Sequence, residues 1–378
     1  MPEGSPRRPT LTDVAAELGV SAKTVSNAYR HPEQLSERLR KRVLATAAQV
    51  GFTGPDPVAA GLRRGRVGTF GFAYANRLSY AFEDPVATEL LAGIAGVAEE
   101  AGAGLALLPG SASARSRVAA LTGALIDGLI VNSLATDDPL LVTAIARRLP
   151  LAVIDQPGPD ALAALGAPGA SWVGIDDRAA AETLAEHVLS LGHRRLAVVS
   201  FALHRKPRRG PVDEHAQAVA KYEVTRNRLA GFRDAVRRAG LDWSRVPVIQ
   251  ATDSTIAEGE VAAATILAAD PRPTALLCLS DRLAEGALRA AARLDLAVPA
   301  DLSVAGFDDA APAAGLNLTT VRHPHRRKGA LAARALLGVL DRSVPEDPRT
   351  LPAELVVRGS TAPPGDMPSH RSGYPDGS

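Results

Sequence analysis

Cysteine is almost missing from this chain: Cys278 is the one thiol in 378 residues. That excludes a disulfide framework and a cysteine-rich zinc site. Cys278 lies in the apolar run Ala275–Leu279, the setting of an inert buried thiol rather than a nucleophile. Aromatic side chains are scarce too, at 4% against 46% hydrophobic residues overall, so any core must be largely aliphatic. No window of eighteen apolar residues occurs, which argues against a membrane-spanning helix. Met1–Pro9, rich in proline and arginine, lacks the apolar stretch of a signal peptide. Catalytic signatures are also missing. There is no H-E-x-x-H, G-x-S-x-G or Walker-type loop, and the eight histidines are scattered. The expectation is a cytoplasmic non-enzyme with no cofactor, no metal and no membrane partner.

What the sequence does hold begins near its N-terminus. Thr10–Asn27 reads as two short helices around Gly19, whose backbone freedom suits a sharp turn. Thr12 or Asp13 can cap the first helix, with Val14, Ala15 and Leu18 at helical spacing; Ser21 can cap the second, with Val25 turned back onto the first. This is a helix-turn-helix, and its outward residues Ala22, Lys23, Ser26 and Asn27 are short or polar, as contact with base edges and phosphates requires. A loop through Gln34 leads to a third amphipathic helix from about Glu37 to Val50, capped by Ser36.

Charge is asymmetric. Lys+Arg number 43 against 41 Asp+Glu overall, but residues 1–66 hold 11 basic and 6 acidic side chains, so the excess positive charge sits at one end. A basic head on a slightly acidic body suits a chain that meets a polyanion at that end alone. Between them, Pro55–Arg66 admits two readings. It is either a plain basic linker or a short helix, with Ala59, Leu62 and Arg63 against a DNA minor groove.

The remainder alternates apolar strand-like runs (Val67–Ala73, Gly104–Leu108, Gly128–Val131, Leu151–Ile154, Leu196–Ser200, Val246–Gln250, Thr274–Leu279, Leu302–Gly306) with amphipathic helical stretches. Strict alternation implies doubly wound parallel sheets with ligand sites at the carboxyl ends of the strands.

Residues 10–66 resemble the DNA-binding head and hinge helix of the LacI/GalR family of bacterial transcription repressors, on the stretches "LTDVAAELGVSAKTVSNAY", "LSERLRKRVLATAAQVGF" and "PDPVAAGLRRGR". The likeness continues in order through "LIDGLIV", "VGIDDRAAAETLAEHVLSLGHRRLAVVS", "RLAGFRDAVRRAGL", "TALLCLSDRLAEGALRAAARLDLAVPADLSVAGFDD" and "LTTVRHP". It implies an all-α head (10–54), a hinge (55–66) and a body (67–362) of two periplasmic-binding-protein-like subdomains. These are 67–174 with 322–344, and 175–321 with 345–362, flanked by disordered segments 1–9 and 363–378. The chain would cross between subdomains near Gly174-Ile175, Thr320-Val321 and Val344-Pro345. His193, in "LGHRR", then reads as structural. The tail lacks the leucine heptads of tetrameric relatives, so the resemblance implies a homodimer.

Its implied partners are an operator in double-stranded DNA and a small polar effector, sugar- or nucleoside-like. DNA contacts are expected from Thr12, Ser21, Ala22, Lys23, Thr24, Ser26, Asn27, Gln34, Ala59, Leu62 and Arg63. Effector contacts are expected from Tyr80, Phe82, Asp84, Asp155, Arg228, Ser280, Asp281 and Asp308. The carboxylates with Arg228 suit a polyhydroxylated ligand, and Tyr80 and Phe82 offer aromatic faces. Asp281 and Asp309 have the competing role of helix caps, as do Asp176 and Asp177. The basic, proline-rich stretch from His204 to about Glu223 departs from the family's compact pattern and reads as a mobile loop with a gating role. Outside this reading stands a solute-binding protein of the same body fold, with no DNA role.

Overall fold

The computed structural model describes residues 9–54, 66–110, 113–343 and 349–365. Hinge residues Ala59, Leu62 and Arg63, the Val344-Pro345 crossing and residues 366–378 lie outside this range. The chain divides into two units at Gly68.

The first unit is helical, with α1 (Leu11–Leu18), α2 (Ala22–Arg30), a 3-10 turn (Pro32–Gln34) and α3 (Glu37–Gln49). Val14, Ala15, Val25, Ala28, Val43 and Ala47 form its core, closed by Phe52, whose ring meets Tyr29 edge-on at 5.9 Å. The N-cap of α1 is Thr10, not Thr12 or Asp13. Asp13 Oδ2 accepts from both the backbone N–H and the hydroxyl of Thr10 at 2.7 Å, so the aspartate completes a cap one turn earlier. Ser21 caps α2 by accepting from Thr24 N–H at 3.0 Å, and Ser36 caps α3. Gly19 takes φ +66°, the left-handed turn between the first two helices.

The second unit carries two parallel sheets. In chain order the first lobe runs β1 (Thr69–Tyr74), α4 (Leu78–Glu83), α5 (Pro85–Glu100), β2 (Gly104–Leu108), α6 (Ala114–Gly123), β3 (Gly128–Asn132), α7 (Pro139–Ala146), β4 (Leu151–Ile154), α8 (Pro159–Ala164) and β5 (Ser171–Ile175). The second runs α9 (Asp177–Ser190), β6 (Leu196–Ser200), β7 (Gly210–Pro211), α10 (Glu214–Ala218), α11 (Glu223–Arg238), β8 (Val248–Gln250), α12 (Ile256–Leu267), β9 (Ala275–Cys278), α13 (Asp281–Arg293), β10 (Ser303–Ala305) and α14 (Ala311–Gly315). The last elements are β11 (Thr320–Arg322), α15 (His325–Asp341), β12 (Thr350–Leu351) and β13 (Glu354–Val356).

Strand order is β12-β5-β4-β3-β1-β2 in the first sheet and β10-β9-β6-β8-β7 in the second. Buried strands explain the unbroken apolar runs. Phe70 and Phe72 of β1 pack on α5 and α15, and Leu129 and Val131 of β3 join the cluster with α6 and α7, so helices cover both faces. In the second lobe, Val198 faces α9 and α11 while Ala197 and Val199 face α12 and α13. Cys278 is buried among the latter.

Several expectations move. Thr350 and Leu351 pair with Gly174 and Ile175 in the first sheet, so the last crossing falls after Leu351 rather than at Val344-Pro345. The strand Ser171–Ile175 was hidden because Gly174 interrupts its short apolar run. Residues 78–83 form the helix α4, which carries Tyr80 and Phe82. The stretch 204–223 is not loop throughout: Gly210 and Pro211 pair antiparallel with β8, and α10 follows with Asp213 as its cap.

Candidate functional site

Both sheets reverse strand order, between β1 and β3 in one and between β6 and β9 in the other. Crevices open at the carboxyl ends of strands at such points. Here the two crevices form one cavity of about 480 Å³, within the size range of small-molecule sites. Ser133, Asp155 and Asp308 in its wall take φ of 57°, 64° and 115°, backbone strain of the kind that gathers at ligand sites.

Arg228, on α11, is the centre of the wall. It is 5% exposed. Its Nε donates to Asp177 at 2.8 Å and its Nη1 to Leu279 O at 2.6 Å, with Asp308 Oδ1 at 3.5 Å. The guanidinium lies 3.6 Å from the centre of the Phe307 ring. Burial raises the Asp308 carboxyl well above the usual carboxylate range, with Arg228 opposing. His323 Nε2 lies 3.2 Å from Asp308 Oδ1, and His325 Nε2 donates to Asp308 O at 2.9 Å. Burial lowers both imidazoles, His325 to about 4. These three residues bring ligand atoms within 4.8 Å of one another, a donor set that could hold a metal. However, Arg228 and Lys328 already supply positive charge to this carboxylate cluster, so the set orients Asp308 rather than inviting a cation.

Asp155 ends β4. It accepts from Lys328 Nζ, wholly buried on α15, at 2.5 Å, while its carbonyl accepts from the Trp172 indole at 2.8 Å. Asp281 is buried at the start of α13, where it accepts from Thr320 Oγ1 and Ala310 N–H; burial pushes its carboxyl up to about 7. Gly306 makes room for it, since a Cβ there would stand 2.4 Å from Asp281 Oδ1. Ser280 is the cap of α13 and also lies 2.9 Å from Ser254 Oγ. Asp84 caps α5 and accepts from Tyr74 Oη at 3.0 Å.

The cavity thus brings together Tyr80, Asp84, Asp155, Arg228, Ser280, Asp281 and Asp308. It does not include Phe82, which is 66% exposed on the opposite side of α4 from buried Tyr80 and Ala81. The capping alternatives divide. Asp176 caps α9, whereas Asp177 is buried against Arg228, and Asp309 binds Arg322 and Arg358. His193 has a structural role, bonded to Thr274, Ser303 and the Ala362 carbonyl.

Other wall residues were not singled out. Asn132 ends β3 and Ser133 follows it, and the strand-end rule applied there would have found them. Arg117, Asp138, Arg205, Tyr222, Asp253 and Arg282 also line the cavity. Lys328 looked like part of the exposed run Arg326–Lys328. Its spacing from Leu331, Ala332, Ala335 and Leu336 on the buried face was the available signal.

On the head, Ala22 and Lys23 are exposed, Thr24, Ser26 and Asn27 are half-buried, and Asn27 Nδ2 donates to Gln34 Oε1 at 3.0 Å. Residues 10–54 match the model of bacterial regulatory proteins of the lacI family, and residues 185–361 match the periplasmic binding protein-like domain. HTH-type transcriptional regulator Rv3575c of Mycobacterium tuberculosis is 42% identical over 360 residues, covering 95% of this chain and 98% of that one. The chain belongs to the LacI family of transcriptional regulators. Among solved structures, a LacI-family regulator from Corynebacterium glutamicum superposes with a TM-score of 0.71 at 31% identity, covering 94% of this chain and 100% of that one. The CelR–cellobiose complex gives 0.66 at 26% identity, covering 93% and 100%. This LacI-family protein is therefore a ligand-responsive DNA-binding regulator with a helix-turn-helix head and a periplasmic-binding-protein-like body. The matched head goes against the solute-binding alternative. Among the described residues no helix is long and apolar enough to cross a membrane.

Proposed function

We propose that the protein is a cytoplasmic repressor, without catalytic activity, that binds a pseudo-palindromic operator as a homodimer and changes its affinity when a small polyhydroxylated effector enters the cavity. The observation that carries this reading is the convergence of Asp155, Asp281 and Asp308 from three strand ends, and of Arg228 from one helix, into one cavity. Carboxyl and guanidinium groups both hydrogen-bond to hydroxyls, and in the CelR structure the bound molecule is the sugar cellobiose. The domain bounds are those of the sequence: head 10–54, hinge 55–66 and an effector-binding body ending near residue 362.

In the head, Ala22, Lys23 and Asn27 face bases from the major groove, with Thr12, Ser21, Thr24, Ser26 and Gln34 nearer the phosphates. Ala59, Leu62 and Arg63 of the hinge contact the minor groove. Effector binding and DNA binding are coupled, so each alters the other's affinity by the same factor. A thermal-shift screen of sugars, nucleosides and polyols, followed by gel-shift of the hits on DNA upstream of the protein's own gene, tests the reading. A hit that raises the melting temperature and weakens the DNA complex supports it. Hits that leave DNA binding unchanged contradict the coupling.

A further inference from the structure

One corner of the cavity has a charge pattern that polyol recognition does not use. Arg117, on α6, lines the cavity and is 4% exposed. Its Nη1 donates to Asp138 Oδ2 at 2.7 Å, yet its Nε and Nη2 are buried with no hydrogen-bond partner among the described residues. A buried donor without an acceptor is costly, and a guanidinium presents its N–H groups as a planar fork matched to an oxyanion. The nearest further charge makes the imbalance larger. Arg205 Nε lies 3.9 Å from the same Asp138 oxygen, so two guanidinium groups share one buried carboxylate. His204 and Tyr222 line the cavity with them, and Tyr222 feels the charges of Asp138, Arg205 and Arg117. The other acid acting there, Asp137, is exposed and outside the cavity wall.

We propose that the Arg117–Arg205 corner is an oxyanion subsite, so that the effector is a polyhydroxylated molecule carrying a phosphate or a carboxylate. This rests on reading the cavity as the effector site, and it narrows the ligand class. The hydroxylated part lies against Asp155, Arg228 and Asp308. The anionic group takes the partly exposed fork of Arg205, with the buried Arg117 adding positive charge behind Asp138. His204, Arg205 and Pro207 of the proline- and arginine-rich stretch line this wall.

The test uses the full-length protein and three probes at constant ionic strength: inorganic phosphate, D-gluconate and D-glucose, with potassium chloride as control. Binding raises the melting temperature by mass action. At least one of phosphate and gluconate should shift it beyond the chloride control, and which one does so separates a phosphorylated ligand from a sugar acid. Arg205→Gln should weaken the responding anion about tenfold or more, as expected for loss of a charged hydrogen-bond partner. Arg117→Gln should do the same. Because Arg117 is buried and paired, the partly exposed Arg205 provides the variant that keeps its fold, verified by its unliganded melting curve. No shift with either anion overturns the subsite, and a response to glucose in that case would leave the cavity reading standing. An Arg205→Gln protein that responds to the anion as the wild type does would also overturn it.

Discussion

Asn76, in the turn after β1, donates from Nδ2 to Asp253 Oδ1 at 2.7 Å, and so joins the carboxyl ends of the two sheets across the cavity. Two contacts repeat the link: Tyr80 Oη donates to Ser254 O, and Arg282 Nη1 donates to Glu83 O at 3.1 Å. At the mouth of the cleft the lobes are thus joined by side-chain hydrogen bonds, and Gln156 Oε1 adds another by accepting from Val224 N–H at 2.7 Å. Asn76→Ala should cost about 1 kcal/mol of closure, roughly a fivefold shift toward the open form. Amide hydrogen exchange over residues 76–84 and 252–256 should accelerate accordingly. Unchanged exchange would show that the Asn76–Asp253 bond does not hold the lobes together.

Arg228 has two duties, and they can be separated. Arg228→Ala should abolish the effector response while unliganded operator binding persists. It should also destabilise the body by about 3–5 kcal/mol, because Asp177 is left buried without its partner. Replacing both, as Arg228→Met with Asp177→Leu, should recover much of that loss in a denaturant melt without restoring the response. If the single variant unfolds like the wild type, the pair is not structural.

The histidines under Asp308 give a signed pH dependence. His325 falls from 6.5 to about 4 on folding, mainly through burial. Between those values the unfolded chain binds more protons, so this contribution to stability is lost as pH falls from 6.5 toward 4. Asp281, raised from 3.8 to about 7, acts oppositely, favouring the fold as pH falls through the same interval. The difference between wild type and His325→Gln isolates the histidine. It should shrink by about 2–3 kcal/mol between pH 7.5 and 4.5, measured by urea unfolding. A constant difference would mean that His325 titrates normally.

In the head, Ser21 serves the fold as well as any contact with DNA. Ser21→Ala should lower head stability by about 1 kcal/mol through loss of the cap on Thr24 N–H. Lys23→Ala, by contrast, should leave the melt unchanged, weaken operator and random DNA alike, and reduce the salt slope of binding by about 1. A loss confined to the operator would assign Lys23 to bases instead.

The helical head was legible because its caps, glycine turn and apolar spacing are all local. The strands of the body were legible because both faces are buried, which leaves runs such as Leu196–Ser200 and Leu151–Ile154 with no polar interruption. Asp155 and Asp308 could be found from their places at strand ends. The burial of Lys328 could be read from helical spacing but its pairing could not, and neither could that of Asp177, since the fold brings their partners from 173 and 51 residues away. Phe82 failed for a related reason: its helix was unseen, and with it the fact that Tyr80 and Phe82 face opposite ways. The ordered stretch 204–223 depends on pairing with β8, a contact that local sequence cannot announce.

The hydrogen bond from Trp172 to the carbonyl of Asp155 also gives the molecule an optical reporter of its own. The chain has two tryptophans. Trp243 is buried, with its indole N–H on Gln217 Oε1, and does not line the cavity. In a Trp243→Phe background, the emission of one indole would follow whatever happens at Asp155, and occupancy of the site could be read in real time, without a label, on the unmodified end of β4.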